Sequence, residues 1–289
     1  MELNSSIFLL NQDINQIVFT GSVETGQAIL RSAAERAIPC VMELGGKSAG
    51  VVFPDADLAV LEDSIDWGIF FNAGQVCSAG SRLYIHESRL DDMLGELRSV
   101  ISEMTMAPGL SADCDIGPVI SSGAKSSIET YIQTGLDEGA EIAIQGEVNQ
   151  TQGYFLPPTV LLCKRNDMTV VQEEIFGPAR AVVRAKSLHE TIKMINDHKY
   201  GNGASIFTRD GGVAREFYEN VEAGGIGINV PVPACSASHN FGGLKNSRYG
   251  ESFLYGPDSA RFFTKEKTVS SRWNTSDNSD VFVSMYTES

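Results

Sequence analysis

The sequence predicts an α/β fold built around a largely parallel sheet. Short apolar runs of strand length alternate with amphipathic segments of helical period, an order typical of parallel strands covered by helices. Glycine accounts for 28 of the 289 residues, which suits a fold with many tight strand-to-helix turns. A chain of this length can bury a substantial core, in one large domain or in two.

The composition argues against several classes of partner. Lys and Arg number 22 against 37 Asp and Glu, and the resulting net charge of −15 repels nucleic acid and anionic membrane surfaces. No apolar run approaches the roughly 20 residues of a membrane span, and the N-terminus lacks the basic flank of a signal peptide. The five cysteines are widely spaced, without a CxxC pair. We therefore expect a cytoplasmic protein that binds no nucleic acid, no membrane and no metal.

The first predicted unit is a strand at 16–20, a turn with the sequence GSVETG, and a helix over 27–37. A strand followed by a glycine turn with a hydroxyl and then a helix can place a phosphate at the helix N-terminus. Taken alone, Gly21, Ser22 and Gly26 fit a purely structural turn equally well.

A second short apolar run, at 40–44, contains Glu43 and is followed by two glycines, Gly45 and Gly46. We expect a carboxylate in this place to project into an opening and to serve as a general base whose pKa is raised by partial burial. The alternative is a solvated glutamate or one that caps a helix.

Cys77 lies in the stretch DWGIFFNAGQVCSAGSRLY at 66–84. Upstream of it, a helix that should stop near 72–74 is predicted by an apolar face of Leu58, Leu61, Ile65 and Ile69. Gly74 is the expected helix breaker, and Gly80 lets the chain turn before a strand at 82–85. Backbone N–H groups on such a bend can stabilise a thiolate or an oxyanion, although a buried inert cysteine is the commoner structural role.

The remaining chain continues the alternation of helix and strand. Helices are predicted over 87–103 and 121–138, and strands at 141–145, 159–162, 179–184 and 204–208. Ser187 and Glu190 form a predicted capping box for a helix that carries Leu188, Ile192 and Ile195. The run at 224–243 is rich in Gly and Pro, which indicates an irregular loop that lines an entrance. Residues 262–273 alternate apolar with polar side chains, as in a strand.

Four stretches in order resemble signatures of the aldehyde dehydrogenase family. They are MELGGKSAG at 42–50, FFNAGQVCSAGSR at 70–82, EEIFGP at 173–178 and FGGLKNSRYGE at 241–251. Glu43 precedes Cys77 by 34 positions, and the likeness runs from about residue 13 to about residue 273. The sequences NVPVP and YGESFLYG are similar to the methylmalonate-semialdehyde dehydrogenase branch.

The resemblance implies a three-layer parallel-sheet catalytic domain at 44–255. A remnant of a Rossmann-like NAD-binding domain would occupy 1–43, and an oligomerisation strand and tail 256–289. The implied activity is NAD- or NADP-dependent oxidation of a small aldehyde to a carboxylic acid, with Cys77 forming a thioester and Glu43 activating water. Implied cofactor contacts are Gly21, Ser22, Gly26, Leu44, Glu174 and Phe176, and implied aldehyde contacts are Phe71 and Phe241. Asn229 would end a strand at the mouth of the aldehyde channel.

Members of this family are much longer than 289 residues, and the missing part would lie at the front. It would contain the first strands of the cofactor domain and the Asn that completes the oxyanion hole. We therefore expect a homo-oligomer or a complex with a separately encoded N-terminal half. A catalytically silent chain that acts as a structural or assembly partner is the alternative. The NVPVP likeness alone favours CoA as acyl acceptor, whereas the carboxylate of Glu43 favours water.

Overall fold

A computed structural model describes residues 13–57, 59–61, 68, 70–150, 152–231, 238–240, 242–250 and 254–271. Its strands are β1 Ile17–Thr20, β2 Cys40–Glu43, β3 Ala49–Val52, β4 Arg82–His86, β5 Glu141–Gln145, β6 Thr159–Cys163, β7 Ala179–Ala185, β8 Tyr200–Gly201, β9 Gly203–Phe207, β10 Gly225–Ile228, β11 Leu244–Lys245 and β12 Arg248–Tyr249. Its helices are α1 Val23–Ala34, α2 Leu90–Glu103, α3 Ser122–Asp137, α4 Thr169–Gln172, α5 Leu188–Asn196, α6 Gly211–Asn220 and α7 Asp258–Phe262. Two 3₁₀ turns occupy Phe71–Gly74 and Glu87–Arg89.

The main sheet has seven strands in the order β10-β9-β3-β4-β7-β6-β5. All neighbours are parallel except β5 and β6, which are antiparallel. Central strands of such a sheet are covered on both faces, so they consist of continuous apolar runs. The four residues of β3 are all buried, as are the first five of β7. The parallel α/β fold predicted from the sequence is thus confirmed.

Strand β3 is the central element that the sequence analysis missed. Its four residues AGVV directly follow a glycine-rich motif and are too small and too few to give a period. They become a strand because β4 and β9 flank them on both sides and supply hydrogen-bond partners. The irregular loop predicted at 224–243 is wrong for its first part, which forms β10 and pairs with β9, whereas the expected strand end at Asn229 is confirmed because β10 ends at Ile228.

A smaller sheet has the order β1-β2-β12, with β1 and β2 parallel and β12 antiparallel to β2. A separate apolar cluster lies between this sheet and α1, formed by Ile17, Ile29, Ala33, Met42 and Leu44. The sheet combines strands from both sides of the domain boundary at 43/44, because β12 belongs to the later segment. That boundary stays a prediction.

The oligomerisation strand expected at 262–273 would pair with another chain and therefore stays a prediction; the described part of this segment ends at residue 271. Phe262 is the last residue of α7 and is buried, and its carbonyl accepts a hydrogen bond of 2.5 Å from Gln16 Nε2. Phe263 and Val269 are 65% and 77% exposed and lie outside any described strand. A strand needs a partner for its ladder, and none of the described strands pairs with this segment.

Several other predictions concern element ends. Much of the helix before Cys77 lies outside the described residues, but the chain does leave helical geometry at 72–74, where all three residues have positive φ. Helix α1 begins at Val23, earlier than predicted, because Ser22 caps it. At α5, Ser187 accepts from the Glu190 N–H, while the Glu190 carboxylate accepts from Lys186 N rather than from the cap residue.

In the described part of the chain, no helix is long and apolar enough to cross a membrane. Within the same residues, no three His, Cys, Asp or Glu side chains come together in a way that could hold a metal ion.

Candidate active site

One cavity of about 710 Å³ brings together segments that are far apart in the sequence. Its walls come from the end of β1, the residues after β2, the Cys77 loop, the start of α3 and the segment after α4. The residues that line it are Thr20, Gly21, Ser22, Leu44, Gly45, Gln75, Val76, Cys77, Ile120, Ala124, Ser127, Ile128, Tyr131, Glu174, Ile175 and Phe176. The thiol and most of the predicted cofactor residues therefore share one space.

The start of α1 forms one end of this cavity. Ser22 Oγ accepts a hydrogen bond of 3.2 Å from Thr25 N, and Gly21 N donates to Glu43 O at 3.0 Å. The first N–H groups of a helix lack intrahelical partners, and the helix dipole favours negative charge there. Gly26 lies outside the cavity lining, since a Cβ on it would meet the Leu44 side chain at 2.6 Å. Its place permits close packing of α1, and direct cofactor contact by Gly26 stays a prediction.

The loop that carries Cys77 is held in an unusual backbone conformation. Asn72 and Ala73 both have a φ near +52°, and Gly74 follows at +70°. The Asn72 side chain donates to Gln75 O at 3.0 Å, and Gln75 Oε1 accepts from Ile120 N at 3.0 Å. Left-handed non-glycine residues are strained and need surrounding contacts to persist. Here the amide contacts fix the loop against the start of α3.

The environment of Cys77 raises the pKa of its thiol. Burial is the main cause, and the carboxylate of Glu174 adds to it, whereas hydrogen bonds from the Asn202 side chain and from the Ser78 and Cys77 backbone act in the opposite direction. The sequence analysis expected the polar bend to lower this pKa, and that expectation is wrong. Loss of water around the half-buried sulfur outweighs the hydrogen bonds.

Glu174 is a carboxylate on the wall of the same cavity. Its Oε1 accepts a hydrogen bond of 3.0 Å from Gly46 N, and a Cβ on Gly45 would lie 2.4 Å from its Oε2. Burial raises the pKa of Glu174, while the Gly46 hydrogen bond and Lys47 lower it. Phe176, with a φ of +53°, is 47% exposed on the same cavity.

Glu43 is not among the residues that line the cavity. Its side chain is buried, with Oε1 3.6 Å from Arg248 Nε, and its Oε2 has no hydrogen-bond partner among the described residues. Burial raises the pKa of Glu43 as expected, and Arg248 partly offsets that effect. The residues on either side of it, Thr20 across the β1–β2 pairing and Leu44 along the chain, do line the cavity.

The two predicted aldehyde contacts are less well placed. Phe71 is 51% exposed in the turn before Cys77 and is not part of the cavity wall. Phe241 lies outside the described residues.

Two buried polar residues near the site were missed by the sequence analysis. The side chain of Asn202, in the run KYGNGASIF, acts to lower the pKa of the Cys77 thiol. Lys47 is 1% exposed, and burial, then Arg82 and Arg180, lowers its pKa to about 7. Lys47 lies within the motif MELGGKSAG, so the motif could have indicated that it is close to the site. Nothing in the local sequence around Asn202 connects that residue with Cys77.

Comparison with known proteins gives a consistent result. Residues 5–269 match the aldehyde dehydrogenase family. The malonate-semialdehyde dehydrogenase of Pseudomonas aeruginosa is 36% identical over 267 residues, which cover 90% of this chain and 54% of that relative. The methylmalonate-semialdehyde dehydrogenase structure from Oceanimonas doudoroffii has a TM-score of 0.89 and 33% identity over 94% of this chain and 57% of that one. Betaine aldehyde dehydrogenase from Staphylococcus aureus, in complex with NAD+, has a TM-score of 0.84 and 32% identity over 90% of this chain and 52% of that one. The chain thus spans about half the length of these relatives.

Proposed function

Because the chain belongs to the aldehyde dehydrogenase family, we propose that it carries the nucleophile and much of the nicotinamide site for NAD- or NADP-dependent oxidation of a small aldehyde to a carboxylic acid. The observation that carries this proposal is the single cavity in which Cys77 meets Glu174, Phe176 and the start of α1. The names of the relatives favour a semialdehyde, an aldehyde that also bears a carboxylate, as the first substrate to test.

The first step belongs to Cys77. Its sulfur bonds to the aldehyde carbon while the thiol proton leaves, and backbone N–H groups of the bend stabilise the negative oxygen that results. Since the raised pKa of Cys77 keeps it a thiol near neutral pH, a base must take that proton. Glu174 is the candidate for that base, because it is a carboxylate that lines the same cavity as Cys77.

The cavity residues fit a dinucleotide. When bound, NAD or NADP supplies the acceptor for the hydride that the sulfur-bound carbon loses. The start of α1 with Ser22 favours a phosphate, Glu174 can accept from a ribose hydroxyl, and Leu44 and Phe176 offer apolar surface to a flat ring. Loss of hydride leaves a thioester on Cys77.

Hydrolysis of that thioester is assigned to Glu43, which removes a proton from the attacking water and so regenerates the thiol. In the resting geometry Glu43 faces Arg248, so its carboxylate must turn towards the cavity to act. Glu174 is the competing base, because it already lies on the cavity wall.

An activated ester such as p-nitrophenyl acetate tests this chemistry, because it forms a thioester without any hydride transfer. We expect Glu43→Gln to accumulate acetyl-Cys77, visible by mass spectrometry, and to lower steady-state turnover about a hundredfold. Glu173→Gln is the matched control, since Glu173 forms an exposed ion pair with Lys199. Accumulation in Glu174→Gln but not in Glu43→Gln would assign the water to Glu174, and no acylation of Cys77 in any variant would refute the proposed function.

We propose further that the open edge of the small sheet binds another chain. Strand β1 pairs on one side with β2, no strand of the described residues lies on its other side, and Val18 is 45% exposed there. Such an edge offers unpaired N–H and C=O groups to another strand. The occupant would be a second copy or a chain that supplies the half of the relatives not matched here.

Light scattering after size exclusion measures that association. We expect a species larger than the 31.2 kDa chain, dissociated by Val18→Lys at the edge of β1. Leu110→Lys is the control, because Leu110 is fully exposed and not in a strand. A monodisperse 31.2 kDa species with one cooperative melt, with or without the candidate partner, contradicts the idea.

A further inference from the structure

Asn202 is a buried amide held in place between β8 and β9. It is 3% exposed, and its backbone carbonyl accepts a hydrogen bond of 3.0 Å from Gly225 N. The N–H of the neighbouring Gly201 donates to Ser247 Oγ at 3.2 Å. These backbone contacts fix the position from which the Asn202 side chain extends. The side chain therefore has little freedom to move away from its neighbours.

The Asn202 side chain reaches the Cys77 loop across Gly46. A Cβ on Gly46 would lie 2.1 Å from Cys77 O and 3.0 Å from Asn202 Cβ, so the two residues pack against the same side of this glycine. From this place the Asn202 side chain acts to lower the pKa of the Cys77 thiol, and within the described part of the chain it is the only side chain that does so.

Packing alone does not account for an amide at this position. Asn202 Oδ1 is buried and has no hydrogen-bond partner among the described residues, which is costly for a polar atom. An apolar side chain of similar size would avoid that cost. The closeness of the amide to Cys77 is thus the feature that distinguishes Asn202 from leucine here.

The charged side chains around Cys77 do not favour its thiolate in the way that Asn202 does. Glu174, from the segment after α4, acts against the thiolate. Lys47, from the segment before β3, interacts with Glu174, and Arg180, at the start of β7, extends towards Gly74, with Nη2 3.0 Å from where a Cβ on Gly74 would be.

We propose that Asn202 is a positioning residue for Cys77, whose Nδ2–H donates to the sulfur and holds it as the nucleophile. The inference rests on the proposed role of Cys77 in aldehyde oxidation. Its test needs neither cofactor nor aldehyde, because it follows the thiol itself.

The test is the pH dependence of Cys77 alkylation by iodoacetamide, followed peptide by peptide with mass spectrometry in wild type and Asn202→Leu. Loss of the hydrogen bond should raise the apparent pKa of Cys77 by about one unit and slow its alkylation at pH 7 by about threefold to tenfold. Cys40 and Cys114 in the same samples are internal references, and their rates should not change. An unchanged or faster Cys77 in a folded Asn202→Leu protein overturns the proposal.

Two more variants separate positioning from a general loss of structure. Asn202→Asp keeps the shape of the side chain but places a carboxylate beside the sulfur, so alkylation of its Cys77 should be slower still. Equal alkylation rates of Cys77 in the Asn202→Asp and wild-type proteins also overturn the proposal. Asn196→Leu removes two side-chain hydrogen bonds elsewhere and should lower the melting temperature without altering the Cys77 profile. If Asn202→Leu unfolds, all of its cysteines will be alkylated faster. The alkylation rate of Cys77 in Asn202→Asp then tests the proposal in its place. A chain that shows the shift but oxidises no aldehyde supports the role of Asn202 and refutes only the proposed function.

Discussion

Replacement of Cys77 by serine is expected to abolish aldehyde oxidation, with a fall in rate of about 10⁴-fold or more. A serine hydroxyl in the same place is a far weaker nucleophile, and among the described cysteines only Cys77 lines the cavity. The measurement is NADH or NADPH production from a semialdehyde in the oligomer or complex that shows wild-type activity. Acylation by p-nitrophenyl acetate should disappear in parallel.

The control for this variant is Cys114→Ser. Cys114 is half-buried like Cys77, but its thiol donates to Ala107 O at 3.0 Å in a segment away from the cavity. Full activity of Cys114→Ser together with its loss in Cys77→Ser supports the assignment. Retention of more than about a tenth of wild-type turnover by Cys77→Ser would remove Cys77 from the mechanism.

Gly46→Ala is expected to damage both stability and the site. The added methyl group would lie 2.1 Å from Cys77 O, and because that atom belongs to the backbone, the whole loop must move. Gly46 N also donates to Glu174 Oε1, so the same shift disturbs the carboxylate beside the thiol. Overpacking of a core costs about 1–3 kcal/mol, and displacement of a reacting group by about 1 Å can lower the rate about a hundredfold. Thermal melting and ester turnover measure the two effects.

Gly95→Ala is the matched control, a Gly-to-Ala substitution that should stabilise the protein where Gly46→Ala destabilises it. Gly95 lies inside α2, is exposed, and has nothing within 4 Å of an added Cβ. Alanine in a helix interior is more favourable than glycine by about 0.5–1 kcal/mol, so this variant should be more stable and equally active. If Gly46→Ala behaves like Gly95→Ala, the close approach of the Cys77 carbonyl is not a real constraint.

The sequence located most elements and the candidate nucleophile, Cys77, because those signals are local. Each of these signals depends on neighbours a few residues away. They are the helical period of α5, the hydroxyl and glycines at the start of α1, and the apolar runs of β6 and β7. Cys77 could likewise be placed on a bend from its flanking glycines alone, and the motif order was sufficient for the family.

The tertiary structure decided what depends on distant partners. β3 is a strand because β4 and β9 flank it, whereas none of the described strands pairs with the segment after α7. Register across the small sheet places Arg248 opposite Glu43, so the Glu43 carboxylate lies near Arg248 and is not among the residues that line the cavity.

The same reason explains the errors at the thiol. A local sequence shows which polar groups flank Cys77, but burial and the approach of Glu174 and Asn202 are set by chain segments that only folding brings there. Burial of the sulfur and the nearby carboxylate together outweigh the local hydrogen bonds, so the pKa rises where the sequence predicted a fall. The sequence thus singled out Cys77 as the proposed nucleophile, and the packing of distant segments decided how readily its thiol loses a proton.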